Sequence, residues 1–325
     1  MKKLQRSAVL VGLLVLTLSL TVGTAAAAGA GKVTIYTSTG IDNPIEIAAG
    51  PDGALWFTNH GNNSIGRITT AGAITNFTDP SISLPYGIAA GPDGALWFTN
   101  YGNNSIGRIT TAGVVTNFTG TSLNPIGITA GSDGALWFTE HSSYRSAIGR
   151  ITTAGAITNY TDLSISSPAG IAAGSDGALW FANYGNFSIG RITTAGKVTN
   201  YTDKNISNPF WIAAGPDGAL WFTNLFTSSQ SSIGRITTAG KVKIYSDPSI
   251  SRPAGIAAGP DGALWFTNYG NNSIGRITTA GVVTNFTDPS ISLPYGIAAG
   301  PDGALWFTEF VNGGHINSLG RITTQ

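Results

Sequence analysis

Seven copies of one phrase, D-G-A-L-W-F, dominate the chain, with tryptophans at Trp56, Trp97, Trp137, Trp180, Trp221, Trp265 and Trp306. They are spaced 41, 40, 43, 41, 44 and 41 residues apart. A period near 41 that carries short apolar words points to radial repetition, because one such unit cannot bury its own hydrophobic faces and must stack on its neighbours.

Each unit holds four apolar words divided by turn chemistry. The words G-I-A-A and A-L-W-F are short and continuously apolar, as expected of strands covered on both faces. S-I-G-R-I-T and V-V-T-N-F-T mix polar with apolar positions and are expected to lie nearer solvent. P-D-G or S-D-G joins the first two words and T-T-A-G joins the last two, both suited to tight hairpins in which glycine takes a positive φ. The expected fold is all-β: a seven-bladed β-propeller of four-stranded antiparallel blades.

The chain ends agree with a closed ring. Residues 32–37 (K-V-T-I-Y-T) match a fourth word that has no preceding three, and the last unit stops after its third word at Gln325. The N-terminal strand is therefore expected to complete the last blade, which removes exposed sheet edges. The segment from Gly87 to Thr119 is identical to that from Gly255 to Thr287, so the repeated residues read as architecture.

The first residues read differently. Lys2, Lys3 and Arg6 precede an apolar run from Ala8 to Val22, and Ala25 to Ala28 offers a small-residue cleavage site. This is the pattern of a secretory signal, expected over 1–28, with a single propeller over 29–325 and no membrane attachment after cleavage. Losing those three cations takes the formal charge from +1 to −2. No basic stripe remains, so a nucleic-acid partner is not expected. Zero cysteines exclude disulfides and thiolate metal sites. The expected protein is a monomer held by its core and located outside a bacterial cell.

Function is sought where the repeat breaks. From each motif Trp to its own I-G-R or L-G-R arginine the distance is 11, 11, 13, 11, 14, 11 and 15 residues, so insertions collect in one loop of units 3, 5 and 7. Insertions confined to one face of a repeat protein mark a binding face, here called the top. All three histidines (His60, His141, His315) and the substituting Glu140 and Glu309 are assigned to these second-to-third-strand loops. Glu46 stands at the top of a first strand where the other units have Gly or, once, Trp211. Tyr86, Phe210 and Tyr295 precede that position in their units, while Tyr101, Tyr184, Tyr269 and Phe310 follow the second strand. Ring closure is expected to bring Glu309, His315, Glu46 and His60 near one another. The seven turn aspartates and seven I-G-R or L-G-R arginines are read as structural, since Asp-Gly favours the turn by itself.

The words P-Y-G-I, G-P-D-G-A-L-W-F-T-E and I-G-R-I-T-T resemble the virginiamycin B lyase (streptogramin lyase) family, across all seven units. The resemblance implies a Mg²⁺-dependent C–O lyase that opens a cyclic depsipeptide antibiotic by elimination at its ester. It also implies a tyrosine in the first unit's P-Y-G-I word, histidines in the corresponding word of units 6 and 7, and a glutamate after the last unit's second strand. On this chain the tyrosine position is Ile45 and the histidine positions are Ala254 and Tyr295, while Glu309 approximates the glutamate. The family's base is thus absent from its expected places, and Glu309 and His315 are the catalytic candidates.

Two further readings stand beside the lyase. A binding module would take a small molecule, peptide or glycan on the top face through Glu46, His60, Tyr86, Glu140, His141, Phe210, Trp211 and Tyr295, aromatic surfaces with polar tips. A platform protein would bind no small ligand. The residues at the top of the first strands (Ile45, Tyr86, Ile126, Ala169, Phe210, Ala254, Tyr295) differ between units, which favours one asymmetric site over seven equivalent ones. No metal ligand set is legible; Mg²⁺ enters only with the lyase.

Overall fold

The protein was analysed as a computed structural model, which describes residues 30–121, 124–142, 145–225, 231–310 and 317–325. The second blade shows how one repeat folds. Its strands run Pro85–Ala90, Leu96–Asn100, Ser105–Ile109 and Val115–Thr119, from the axis outward. Asp-Gly and Ala-Gly supply the turns, with Gly94 at φ 72° and Gly113 at φ 87°. Seven such four-stranded antiparallel sheets form the ring.

Closure follows the expected scheme. The last blade takes Pro294–Ala299, Ala304–Glu309 and Ser318–Thr323 from the C-terminal end and Val33–Thr37 from the N-terminal end. The register runs from Val33 opposite Ile322 to Thr37 opposite Ser318.

The core lies between blades. Trp56 and Ile65 of blade 1, for example, pack on Ile82, Ile88, Leu96, Phe98 and Ile109 of blade 2, all of them buried. Each motif tryptophan is fully buried and stacked on the aromatic residue of its own outer strand, as Trp97 on Phe118 at 5.4 Å and 14°. Truncating such a side chain to alanine costs about 3–5 kcal/mol. On the strand behind, Gly107 must be glycine, because a Cβ there would sit 2.1 Å from the Phe98 ring.

The third strand differs from expectation. Ser105, Ile106, Gly107 and Ile109 are all buried and only Arg108 is partly exposed, so of the two outer strands it is the fourth that faces solvent. Face-to-face packing of blades covers both sides of the third strand. Its arginine is tolerated because it is paired: Arg108 Nε donates to Asp93 Oδ2 at 2.6 Å, while Trp97 Nε1 donates to Asp93 Oδ1 at 3.0 Å. The same ion pair recurs in all seven blades at 2.6–2.7 Å. The turn aspartates and the arginines are structural, as the sequence indicates, and they are structural together.

Threonine hydroxyls stitch neighbouring blades. Thr99 Oγ1 accepts the Gly87 N–H of its own blade and donates to the Ile126 carbonyl of the next, both at 2.8 Å. Thr308 closes the ring in the same way, donating to the Ile45 carbonyl at 2.7 Å. Blade 4 has Ala182 at this position.

Candidate functional site on the top face

Because strands alternate their side chains, the two residues that flank each blade's upper end form two concentric rings. The inner ring comes from the second residue of each first strand. The outer ring comes from the residue after each second strand: His60, Tyr101, His141, Tyr184, Leu225, Tyr269 and Phe310.

The inner ring meets at the axis. The Tyr86 and Tyr295 hydroxyls share a hydrogen bond at 2.7 Å, across blades 2 and 7. Phe210 lies 6.2 Å from Tyr295 and 5.5 Å from Trp211, centroid to centroid, and Trp211 lies 6.4 Å from Tyr86. These four rings close over the axis as an aromatic ridge. Burial pushes the Tyr86 phenol up to about 12 and Tyr295 well above its ordinary value, so both stay protonated.

Two hollows flank the ridge. The larger, about 390 Å³, is lined by His60, Tyr86, Tyr101, Ile126, His141, Tyr184 and Phe210. The smaller, about 160 Å³, is lined by Phe210, Leu225, Arg252, Ala254, Tyr269, Tyr295 and Phe310. Arg252 covers the Tyr269 ring there at 5.2 Å. The larger hollow has no Asp, Glu, Lys or Arg in its wall.

His60 and His141 are set alike. Nδ1 of His60 lies 3.3 Å from the Pro85 carbonyl, and Nδ1 of His141 lies 3.4 Å from the Pro168 carbonyl. A carbonyl only accepts, so Nδ1 carries the proton in both rings and the neutral Nε2 carries a lone pair. Burial lowers both imidazoles below their ordinary value and outweighs the backbone bonds that raise them.

Glu46 does not join these histidines. It lines an axial cavity of about 90 Å³ below the ridge, together with Trp211 and inner-strand glycines and isoleucines. Burial raises its carboxyl from 4.5 to about 8, against a smaller lowering effect of the Ile47 N–H. Oε2 is inaccessible and without a hydrogen-bond partner, although the residue as a whole is only partly buried.

Glu140 and Glu309 are not loop residues. Each is the last residue of a second strand and is buried within its blade, where five other blades have asparagine. That position anchors the loop leading into the blade: Asn100 Oδ1 accepts the Ser83 N–H at 3.1 Å, and Glu309 Oε1 accepts the Ser292 N–H at 2.7 Å. The Ser318 hydroxyl donates to the other Glu309 oxygen. Burial raises the Glu309 carboxyl, partly offset by these two bonds. Strand parity explains the placement, since Glu309 shares a face with Phe307 rather than with the axis. Phe310, one residue on, contacts Tyr295 at 5.7 Å instead. The expected cluster of Glu309, Glu46 and His60 is therefore not formed. His315 and the tips of the inserted loops in blades 3, 5 and 7 lie outside the described residues, as does segment 1–28.

Tyr86, Phe210, Trp211, Tyr295, His60 and His141 thus converge, while Glu46 sits beneath them and Glu140 and Glu309 lie elsewhere. Tyr101 and Tyr184, absent from the expected ligand set, wall the larger hollow. They occupy the same position in their blades as the two histidines, and that shared position is the signal that marks them. Among the described residues no group of three or more His, Asp or Glu is placed to hold a metal ion.

Known proteins share this architecture. The pattern of the virginiamycin B lyase family matches residues 12–227 and 120–325. A streptogramin B lyase structure is 34% identical, with a TM-score of 0.82, covering 90% of this chain and 98% of its own. Virginiamycin B lyase from Staphylococcus aureus is 36% identical at a TM-score of 0.81, covering 90% and 99%. A catalytically inactive histidine-to-alanine form of that enzyme, solved with quinupristin, aligns equally well. A hydrazine synthase from Kuenenia stuttgartiensis, 18% identical at a TM-score of 0.73 over 84% of this chain and 94% of its own, shares the fold alone. No curated protein sequence matches.

Proposed function

The chain belongs to the virginiamycin B lyase family, and we propose that it is a secreted ligand-binding member that holds an uncharged peptide or glycan against its top face. The observation that carries this reading is the 390 Å³ hollow, walled by four aromatic side chains and two neutral imidazoles with no charged group among them. Aromatic faces take apolar rings or the C–H face of a sugar, and the two Nε2 lone pairs accept hydrogen bonds from ligand N–H or O–H groups. On the family resemblance, the positions expected to hold histidine carry Ala254 and Tyr295 here, neither of which is a base near neutral pH.

A second reading, the Mg²⁺-dependent elimination itself, draws on one feature. His60 and His141 have the tautomer of a general base, with Nδ1 tethered to a backbone carbonyl. In that reaction Nε2 would take the proton α to a carbonyl, the freed electron pair would form a C=C bond, and the C–O bond would break to release a carboxylate. Among the described residues no group of three or more His, Asp or Glu is placed to hold a metal ion. Glu46 is held protonated on the axis and Glu309 is committed to Ser292 and Ser318.

The test incubates the protein with a type B streptogramin, with and without Mg²⁺, and follows calorimetry and mass spectrometry together. Saturable binding with unchanged antibiotic, weakened by Phe210→Ala and Tyr184→Ala, is the expected result for a peptide ligand. A product of unchanged mass and altered retention means elimination and replaces the binding reading. If neither the streptogramin nor panels of neutral glycans and peptides bind, the reading fails.

A further inference from the structure

Two residues break the glycine ring around the axis, and both line the same cavity. Five blades carry glycine at the third position of the first strand: Gly87, Gly127, Gly170, Gly255 and Gly296. Four of them are sterically forced, because a Cβ would come within 2.3–2.6 Å of the next blade's carbonyl oxygen. A Cβ on Gly170 would meet the Trp211 ring at 2.3 Å. Against this constraint blade 1 places Glu46 and blade 5 places Trp211.

Glu46 Oε2 and Trp211 Nε1 are both buried and without a hydrogen-bond partner, and Trp211 is only 8% exposed. The other seven indoles all donate to a turn aspartate. An orphaned buried donor and an orphaned buried acceptor each cost about 1–3 kcal/mol, and here both belong to residues that line one cavity.

We propose that the axial cavity beneath the Tyr86–Tyr295 pair is a second binding site, specific for a small carboxamide group held between Glu46 and Trp211. A carboxylic acid and an amide pair through two hydrogen bonds: the acid O–H donates to the amide oxygen, and the amide N–H donates to the acid carbonyl. The amide oxygen has a second lone pair, which accepts the Trp211 N–H. Both orphans are then satisfied. An anionic ligand would enter a cavity whose wall holds no cation, and an ammonium group, which has no acceptor, would leave the indole N–H unpaired. At about 10–15 Å³ per water molecule, 90 Å³ has room for a group of a few heavy atoms.

The test uses acetamide, with acetate and methylammonium as charged controls of similar size, and ¹⁵N–¹H spectra of the full chain. One indole resonance, assigned to Trp211 by Trp211→Phe, is expected to move saturably with acetamide, while the seven aspartate-bonded indoles stay fixed. A ligand of four heavy atoms half-saturates at about millimolar concentration. Saturation transfer to the acetamide methyl gives a second readout that does not need the indole. Glu46→Gln, whose amide can still pair with an amide, is expected to retain binding, whereas Glu46→Leu abolishes it. A Trp211 resonance unmoved by acetamide means ordered water only and overturns the proposal. So does an equal response to methylammonium or acetate, or retained binding in Glu46→Leu. Streptogramin binding on the top face is read independently of all these outcomes.

Discussion

Replacing Glu46 by glutamine should stabilise the protein, and should do so only where the unfolded chain would ionise. Burial raises the carboxyl from 4.5 to about 8 in the folded state. Below the unfolded value both states are protonated, and the residue contributes nothing to pH dependence. Between the two values the unfolded chain releases its proton while the folded one keeps it. Stability therefore falls as pH rises, by about 1.4 kcal/mol per pH unit. Above the folded value the penalty is constant at roughly 5 kcal/mol, and at pH 7 it is about 3 kcal/mol. These figures hold for a carboxyl oxygen closed off from solvent, as Oε2 is. Glutamine matches the protonated acid in shape and cannot ionise, so it removes the term without opening a void. For a folded body of about 290 residues, an unfolding entropy near 2.1 cal/mol/K per residue converts about 3 kcal/mol into roughly 5 °C of Tm.

The assay is a pair of thermal melts, wild type against Glu46→Gln, at each pH from 4 to 9. The expected difference is near zero at pH 4, grows through neutrality and flattens above pH 8. A difference that does not vary with pH would refute the argument, because steric or packing effects carry no proton. A glutamine variant less stable at every pH would mean that the carboxylate is ionised and held by something the geometry does not show.

The opposite sign applies to the seven turn aspartates. Burial raises their carboxyls, but hydrogen bonds from the tryptophan and arginine outweigh it, so each is held below the ordinary 3.8. Their contribution is complete above the unfolded value and is lost as pH falls through the folded ones. Acid melts should therefore collapse below about pH 4, and Asp93→Asn should flatten part of that limb while costing about 1 kcal/mol at neutral pH. Thr99→Val keeps the side-chain volume but strands the Gly87 N–H and the Ile126 carbonyl. It should cost about 1–3 kcal/mol in equilibrium unfolding, and a neutral result would show that neighbouring blades do not need the stitch.

Much of the architecture was legible because it is periodic. Seven identical words, glycine at each turn and an orphan fourth strand at the N-terminus leave few alternatives to a closed propeller. The pairing of Asp93 with Trp97 and Arg108 was less visible, although its signal was present. Asp and Trp keep a spacing of four in every blade, and Trp97 stands opposite Arg108 in the register. Burial of the third strand was misread because its arginine suggested solvent, whereas that charge is neutralised by an aspartate from the turn between the first two strands. Glu140 and Glu309 were misplaced for a simpler reason. They stand three residues after the motif tryptophan, on the face shared with the buried phenylalanine, and parity alone would have turned them away from the axis.

What no local pattern carries is contact across the ring. Glu46 and Trp211 belong to blades 1 and 5, and Tyr86 and Tyr295 to blades 2 and 7; their meeting depends on the whole circle closing to the right radius. The sequence marked each of them only as a departure from its repeat. That mark was nonetheless informative, because the departures fall on one side of a steric rule. Where a Cβ would strike the next blade, five of seven positions stay glycine, and the two that do not are a carboxylic acid and an indole that line one cavity. Random drift at a position this crowded would be expected to yield alanine or serine first. A propeller that seats these two exceptions in one cavity wall, with both polar tips unsatisfied, has kept its scaffold and altered its axis.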